Sequence, residues 1–356
     1  LEDIRQFVGL LNALPNYNFV MSGFIPSDLP QKKVETAQMM AMLENTDKPI
    51  IYVTTNVPDT KRDVAMAEAV AGGEATFRRQ PFAVCYINIT NPLRHNPESI
   101  QKLLYLSGKG LPFVYRPSIV TRGLSTPITV PGFLAVNNAA FLAGLVLSQL
   151  KKEGAPIIQD SCAGGTFDMK TSVGLHSAPE VRGFNEELAH FYGIPCFGIG
   201  GTSASKAVDQ QAALESALTL ITSTLAGAQL IHDVGYMDSG TTGSLTQAVI
   251  CHEIIAWIKK YMEGLVIDEE SLALDVIHDV GTDGDFLSTE HTLKHFKEDE
   301  YPELRDHRRY DDWLKLGAKT LKERASEKVE EILKTHEPAP IEKGVRAKLQ
   351  KILAEA

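Results

Sequence analysis

One repeated grammar constrains this chain more than anything else. A short β-branched or aromatic run is followed by a polar exit, a Gly, Pro or Asn break, and an amphipathic segment long enough for a helix. Runs of the first kind stand at residues 18–22, 49–54, 82–89, 112–115, 156–159, 195–199 and 229–231, about one βα unit apart. Helical patterns fill the gaps at 31–44, 63–71, 97–107, 131–152, 179–191 and 207–225, several opened by a proline suited to a first helical turn. A parallel sheet wound with helices follows. The seven runs are one short of the eight strands of a (β/α)8 barrel, and the pattern at Leu1 is already helical. The expected fold is therefore an α/β TIM barrel lacking its first strand.

Beyond Gly264 the grammar changes: 267–281 is acidic and helical, 283–309 is charged and rich in His, and 311–333 reads as a long polar helix. Pro338 and Pro340 mark a break before a last short helix. The expected organisation is a barrel over 1–264 and a helical C-terminal cap and tail over 265–356. The apolar stretch 133–150 is interrupted by Asn137, Asn138, Ser148 and Gln149, so it reads as a buried barrel helix rather than a membrane span. No charged n-region followed by an apolar h-region is visible at the start.

Charge and cysteine usage exclude further classes. Lys and Arg number 35 against 45 Asp and Glu, a net charge of −10, and no basic stripe alternates with aromatics. Nucleic acid and anionic membrane are poor partners for such a chain, and a cationic ligand fits better. Cys85, Cys162, Cys196 and Cys251 form no CxxC pair, which argues against a zinc ribbon or a disulfide framework. A reducing cytoplasm is expected, with no metal bound by this chain.

In wound α/β folds the loops leaving the carboxyl ends of the strands build the active site. The stretch 228–243, AQLIHDVGYMDSGTTG, ends an apolar run and sets His232, Asp233, Tyr236 and Asp238 among glycines. His232 is the first candidate, as base, hydrogen-bond donor or ligand, against the alternative of a core histidine satisfied by a backbone carbonyl. Asp233 follows directly, so strand alternation sends it to the opposite face, where it would not orient His232. Asn88 shares a face with Tyr86 and offers a donor and an acceptor without charge, whereas Asn91 reads as a turn residue. Arg116 could hold a substrate carboxylate or form a purely structural link to Asp160.

Two weaker constellations remain. The glycine-rich loop 198–201, followed by Thr202, Ser203, Ser205 and Lys206, could cradle an anion, but it matches neither a P-loop nor GxGxxG, and close backbone packing is the favoured reading. Cys162 with His176 or His232 has no spacing that supports a nucleophile or a zinc site. Tyr86, Tyr115, Phe197 and Tyr236 come from different strands and would converge at one barrel end. There they could surround a quaternary ammonium, each ring adding ~0.5–2 kcal/mol by cation–π attraction. Asp160, Asp233 and Asp238 would add negative charge, while any one ring alone reads as core packing.

The order and spacing of several motifs go further. Ser125-Thr126-Pro127-Ile128-Thr129, Asp168-Met169-Lys170-Thr171, Ser205-Lys206-x-Val208-Asp209-x-Gln211-Ala212, His232 with Gly235, the run from Asp268 to Ile277, Phe286-Leu287, His291-Thr292-Leu293 and Asp311-Asp312-Trp313-Leu314 together resemble the trimethylamine methyltransferase family. The resemblance runs from Leu1-Glu2-Asp3 to about Pro338. It implies a TIM barrel that takes a methyl group from a methylated amine and passes it to the Co(I) corrinoid (cobalamin) of a separate corrinoid protein, in one-carbon metabolism such as methanogenesis. It also implies an N-terminal segment, with the first barrel strand, that is absent here. Members acting on trimethylamine carry pyrrolysine. Only standard residues stand in this chain, so it is similar to the branch without pyrrolysine, whose substrates are quaternary amines such as glycine betaine.

Carried onto this numbering, the resemblance makes His232 the catalytic candidate. Asn88, Arg116, Tyr86, Tyr115, Phe197, Tyr236, Asp160 and Asp209 become substrate-binding candidates, and Gly200, Gly201 and Gly235 positions of close cofactor approach. The chain departs from the family pattern at Cys251-His252-Glu253, where only the last of three acidic residues is kept, and in a longer loop 160–167. Both departures bear on the substrate. The expected partners are a corrinoid protein and a small amine, with homo-oligomerisation open. The competing functions are a non-catalytic quaternary-amine-binding barrel, and a barrel lyase or decarboxylase using His232 on an anionic substrate near 198–206.

Overall fold

A computed structural model of the protein describes residues 1–90, 93–117, 121–161, 164–181, 183–298 and 303–356. Its centre is a parallel sheet of β1 (Ile50–Val53), β2 (Ala83–Asn88), β3 (Phe113–Arg116), β4 (Ile157–Asp160), β5 (Cys196–Ile199) and β6 (Leu230–His232), in that spatial order. Side chains alternate between the two faces. Ile51, Tyr86, Val114 and Phe197 pack together on one face, while Tyr52, Cys85, Ile87, Phe113 and Tyr115 join the larger core behind it. The rings of Tyr86 on β2 and Phe197 on β5 have centroids 5.6 Å apart. Strands that distant in the order can touch only if the sheet is curled, so the fold is a half-barrel of TIM type.

The run 18–22 forms no strand. Only Val20 bridges to Ile50, through Val20 N to Pro49 O and Ile51 N to Val20 O, both 2.9 Å. Asn18 and Ser22 flank it and Gly23 turns the chain at φ 70°, which leaves too short an extended piece for a ladder. Among the described residues the free edge of β6 has no strand beside it. A cavity of about 320 Å³ lies there, between Ala228–Val234 on one side and Asn16–Phe19 with Met21 on the other.

The longer helices up to residue 262 are α1 (Glu2–Ala13), α2 (Val34–Asn45), α3 (Val57–Val70), α4 (Pro97–Lys109), α5 (Val130–Lys151), α6 (Phe184–Tyr192), α7 (Gln210–Leu225) and α8 (Leu245–Met262). α3 starts earlier than its apolar pattern suggests because the Asn56 side chain accepts from Asp59 N at 2.9 Å and satisfies an orphan amide. α5 is long and apolar enough to cross a membrane by length and composition. The expected buried barrel helix is buried along one stripe, Phe133, Asn137, Ala140, Phe141, Gly144 and Ser148, while Val146 and Leu150 are exposed. Gly144 is required there, since a Cβ would meet the Tyr115 ring at 2.2 Å.

After α8 come three short helices, Glu269–Leu272, Leu274–Val280 and Glu290–His295, none with a buried residue. The chain then returns to the barrel. Arg305 Nε lies 2.9 Å from Glu253 Oε1, and the guanidinium sits 3.7 Å over the Trp257 ring, both on α8. Helix α9 (Leu321–Thr335), opened by a Thr320/Glu323 capping box, packs on α8 and α1, and α10 (Lys343–Ala354) packs on α3 and α2.

Candidate active site

Five neighbouring strands deliver one side chain each to the inner face near their carboxyl ends: Tyr86, Arg116, Asp160, Phe197 and His232. Their polar groups form a line. Arg116 donates to the Tyr86 hydroxyl, which donates to Asp160 Oδ2 at 2.8 Å, and Arg116 Nε lies 3.8 Å from Asp160 Oδ1. His232 Nε2 approaches the same Asp160 Oδ2 at 3.4 Å, a charge contact rather than a well-aligned hydrogen bond. On its other side His232 Nδ1 is 2.8 Å from Asp233 Oδ1, and Asp233 Oδ2 is 2.8 Å from His176 Nε2. The His232 ring is stacked on Phe197 with centroids 4.2 Å apart and planes 8° from parallel, and the Tyr86 ring meets it edgewise at 5.6 Å.

Electrostatics follows from this line. Burial alone would lower the pKa of His232, but the Asp233 and Asp160 carboxylates outweigh it and raise it above the ordinary histidine value. Burial would likewise raise Asp233, yet His232 and His176 hold it well below the usual carboxylate range. The imidazole thus lies between two carboxyl groups that both favour its protonated form. Burial pushes the Tyr86 hydroxyl far up, so it keeps its proton and remains a donor.

The contact of His232 with its own neighbour corrects the alternation argument. Asp233 lies beyond the end of β6 with φ 65°, in the left-handed region that Asp tolerates better than most residues. Alternation ends with the strand, and the turn brings the carboxylate back to the imidazole. His176, weighed in the sequence only beside Cys162, has a pairing with Asp233 that the sequence does not reveal. It follows the antiparallel pair Phe167–Asp168 with Val173–Gly174, 57 positions before Asp233, and no spacing links the two. Its ring also lies against Gly240, where a Cβ would stand 3.2 Å from it.

The remaining candidates separate. Asn88 ends β2 beside Arg116 and is exposed at the mouth on the same face as Tyr86. Tyr236 lines the cavity beside β6 and donates to Gly23 O at 2.9 Å. Tyr115 lies on the outer face of β3, its ring against Gly144 and its hydroxyl 2.8 Å from His95 Nδ1, so it does not converge with the others. Tyr86 and Phe197 pack on His232 rather than around an open space. Asp209 is the N-cap of α7, accepting from Ala212 N and the Ser205 hydroxyl, both at 3.0 Å, and Asp238 pairs with Lys206 at 3.2 Å.

The glycine-rich loop already contains its anion. The Glu215 carboxylate accepts from Ala204 N at 2.7 Å, from the Ser203 hydroxyl at 2.8 Å and from the Ser177 hydroxyl at 3.0 Å. Gly200, Gly201 and Gly235 are tight because protein packs on them: an added Cβ would meet Thr219 O, Val234 and Ala248 within about 3.0 Å. The space expected for a cofactor's approach is filled by α7, α8 and the turn after β6. Cys251, His252 and Glu253 also stay away from the mouth line. Burial pushes the Cys251 thiol up to about 11, His252 stacks on Tyr17, and Glu253 holds Arg305. Asn91 and Cys162 lie outside the described residues. Among those residues no group of His, Cys, Asp and Glu is arranged to hold a metal ion.

Comparison with known proteins adds the following. The family model described as trimethylamine methyltransferase matches residues 1–355. A trimethylamine methyltransferase of Desulfitobacterium hafniense (strain DSM 10664 / DCB-2) is 32% identical over 99% of this chain and 72% of its own length. A glycine betaine methyltransferase of Desulfitobacterium hafniense (strain Y51) is 31% identical over 100% of this chain and 75% of its own. A trimethylamine methyltransferase of Methanosarcina barkeri is 33% identical over 100% and 72%. Among solved structures a dihydropteroate synthetase aligns at 13% identity and a TM-score of 0.45, over 73% of this chain and 87% of that one, a likeness too slight to carry an argument.

Proposed function

Because the chain belongs to the trimethylamine methyltransferase family, and is a methyltransferase as its relatives are, we propose that it moves a methyl group from a quaternary amine such as glycine betaine to the Co(I) corrinoid of a partner protein. The observation that carries the site assignment is the continuous line Arg116–Tyr86–Asp160–His232–Asp233–His176 at the mouth. A quaternary ammonium has no lone pair. When its methyl leaves, the C–N bonding electrons stay on nitrogen, Co(I) supplies the pair for the new carbon–cobalt bond, and no proton has to move. The protein is left with orientation, exclusion of water and charge complementarity.

The side chains suit those tasks. His232 is held at both ring nitrogens and along one ring face, so its orientation is set before substrate arrives. Both ring nitrogens face carboxyl oxygens, so neither is turned toward a substrate proton, and this supports a positioning role over general-base catalysis. The Asp160 and Asp233 carboxylates offer the field a cationic nitrogen needs, and Arg116 with Asn88 lies where a substrate carboxylate would find a cation and a neutral donor. The apolar layer of Ile51, Val114 and Phe197 closes the floor against water. The reducing cytoplasm expected from the cysteines is compatible with a Co(I) partner.

The test is to mix the protein with a reduced corrinoid protein or free cob(I)alamin and a panel of quaternary and tertiary amines, following the corrinoid spectrum for methyl-Co(III). Conversion with a quaternary amine is the expected result. No conversion with any amine, from folded protein and an active corrinoid, overturns the reading. Unchanged methyl transfer in His232→Ala removes that residue from the mechanism.

A further inference from the structure

The hydrogen bond at the far end of the line joins two loops. His176 lies in the loop after β4 and Asp233 in the turn after β6, and the loop after β5 stands between them in the order of the sheet. Neither residue is in a strand: His176 is two residues past the short pair that ends at Gly174, and Asp233 is past the end of β6. A hydrogen bond weakens steeply with misalignment, so this one is as good as the placement of its loops. The loop after β4 is fastened on both sides of His176. On the near side Leu175 N donates to Thr166 O at 3.0 Å, and the Arg122 side chain reaches Gly164 O at 2.6 Å and the Thr166 hydroxyl at 3.0 Å. On the far side the Ser177 hydroxyl donates to Glu215 Oε2 at 3.0 Å.

Glu215 fastens the other loops as well. The same oxygen accepts from the Ser203 hydroxyl at 2.8 Å and from Ala204 N at 2.7 Å, and Oε1 accepts from the Gln211 side chain at 2.9 Å. Ser203 carries the tie onward to the turn that follows Asp233: its amide donates to Tyr236 O and its carbonyl accepts from Ser239 N, both at 3.0 Å, while Ser205 O accepts from Asp238 N at 2.9 Å. One carboxylate thus sets the loop of His176 against the loop that supports the Asp233 turn. Its base is firm, because α7 packs on α8 and β5 and the Ser223 hydroxyl holds Ile199 O at 2.6 Å. Burial would raise the pKa of Glu215, but the donors from Ala204, Gln211, Ser203 and Ser177 outweigh it and lower it, so these are charge-assisted bonds at neutral pH.

We propose that Glu215 is a positioning residue for the methyl transfer, acting through Ser177 to hold His176 on Asp233 and so to fix the orientation of His232. The proposal rests on the reading of the site given above. Glu215→Ala should lower kcat by about tenfold and leave KM within about twofold, the pattern of lost geometry rather than lost substrate binding. Ser177→Ala cuts the link to His176 while Ser203 and Ala204 stay on the carboxylate, and it should lower kcat in the same direction. Glu215→Gln keeps an oxygen for the donors and should recover most of the rate. In His176→Ala protein neither Glu215→Ala nor Ser177→Ala should slow the reaction further, because the residue they act through is gone.

A second readout needs no corrinoid. The bond from His176 is one of the contacts that lower the Asp233 pKa, so loosening His176 should raise the midpoint of the Asp233 carboxyl in a carbon-13 NMR titration. The midpoint should rise in Glu215→Ala and in Ser177→Ala and return in Glu215→Gln. A raised midpoint supports the tie even where the wild type transfers no methyl group, a result that would fault the reading of the reaction alone. An unmoved midpoint in both alanine variants overturns the proposal. So does a Ser177→Ala rate equal to wild type, or a rate loss in Glu215→Ala that multiplies in full with that of His176→Ala, as a role confined to overall stability would give.

Discussion

Asp160 and Asp63 are both carboxyl groups almost without access to water, placed on opposite faces of one barrel wall. Asp160 lies inside, with the Tyr86 hydroxyl on one oxygen and the Arg116 guanidinium and His232 imidazole beside it. Asp63 lies on α3, behind the sheet near Tyr52 and Cys85, and neither of its oxygens has a hydrogen-bond partner among the described residues. Burial raises its pKa far above the usual range, and Glu35 and Asp59 push it the same way. The nearby Lys102 gives its ammonium to the Thr54 carbonyl instead. Burial therefore does not make a charged site; converging donors and cations do. The inner acid stands in a connected line of donors and cationic partners, and the outer one, without a partner, has its pKa driven up by burial.

The largest expected effect separates the two at once. Asp160→Ala leaves Arg116 and His232 in the interior short of a counter-charge and should lower unfolding stability by about 3–5 kcal/mol in a urea titration. Asp63→Asn keeps the size of a side chain that has no partner and should stay within about 1 kcal/mol near pH 4. Equal losses would break the comparison. Next, His232→Gln should slow methyl transfer to the corrinoid by about 10²–10³, while Asp63→Asn leaves the rate within about twofold.

pH sharpens the contrast further. The folded-state pKa of His232 is raised, so its contribution is complete below its unfolded value near 6.5 and is lost as pH climbs through the folded value. Asp233 has a depressed pKa, so its contribution is present above an unfolded value near 3.9 and is lost as pH falls through the folded one. The stability gap between wild type and His232→Gln should therefore be widest between about pH 4 and 6.5 and shrink toward pH 9. The folded-state pKa of Asp63 is also raised, so the native state holds this proton more tightly than the unfolded chain does; stability is lost as pH rises above the unfolded value near 3.9 and the loss is complete once pH passes the folded value, so Asp63→Asn should gain on wild type over that range. Denaturation midpoints at pH 5, 7 and 9 decide both. The smallest effect is at the end of the line: His176→Ala should cost about 1 kcal/mol of stability and roughly tenfold in rate, and an unchanged rate would end the functional line at Asp233.

The half-barrel was legible because hydrophobic runs and breaks alternate with little interference from local chemistry. Residues 82–89 contain β2, 195–199 contain β5, and the proline at 97 does open α4. The failures have local causes. Residues 18–22 have strand composition, but the ladder stops at Val20 where Gly23 turns the chain. Tyr115 was placed at the mouth although it lies one residue out of phase with Arg116, and period two sends it to Gly144. For the proposed site, strand position predicted that His232, Asp160, Arg116 and Tyr86 share one end of the sheet, and the structure brings those four side chains together. It could not yield the Asp233 contact, which depends on one left-handed φ, or His176, which reaches the mouth from a loop whose sequence separation carries no signal.

The spatial order of the strands, identical to their order along the chain, also has a consequence in time. Each new strand from β2 to β6 pairs with the one synthesised just before it, so every pairing closes a loop no longer than a single βα unit, and such local closures are fast. The cavity beside β6 is different: it brings Asn16 and Met21 against Leu230 and Ile231, across more than two hundred positions. The wall can grow strand by strand as the polypeptide emerges, but the two sides of the seam can meet only after nearly all of the barrel has been made. Amides on the two sides of that seam should be the last in the sheet to gain protection in a pulsed hydrogen-exchange refolding experiment, and among the first to lose it when the native state opens.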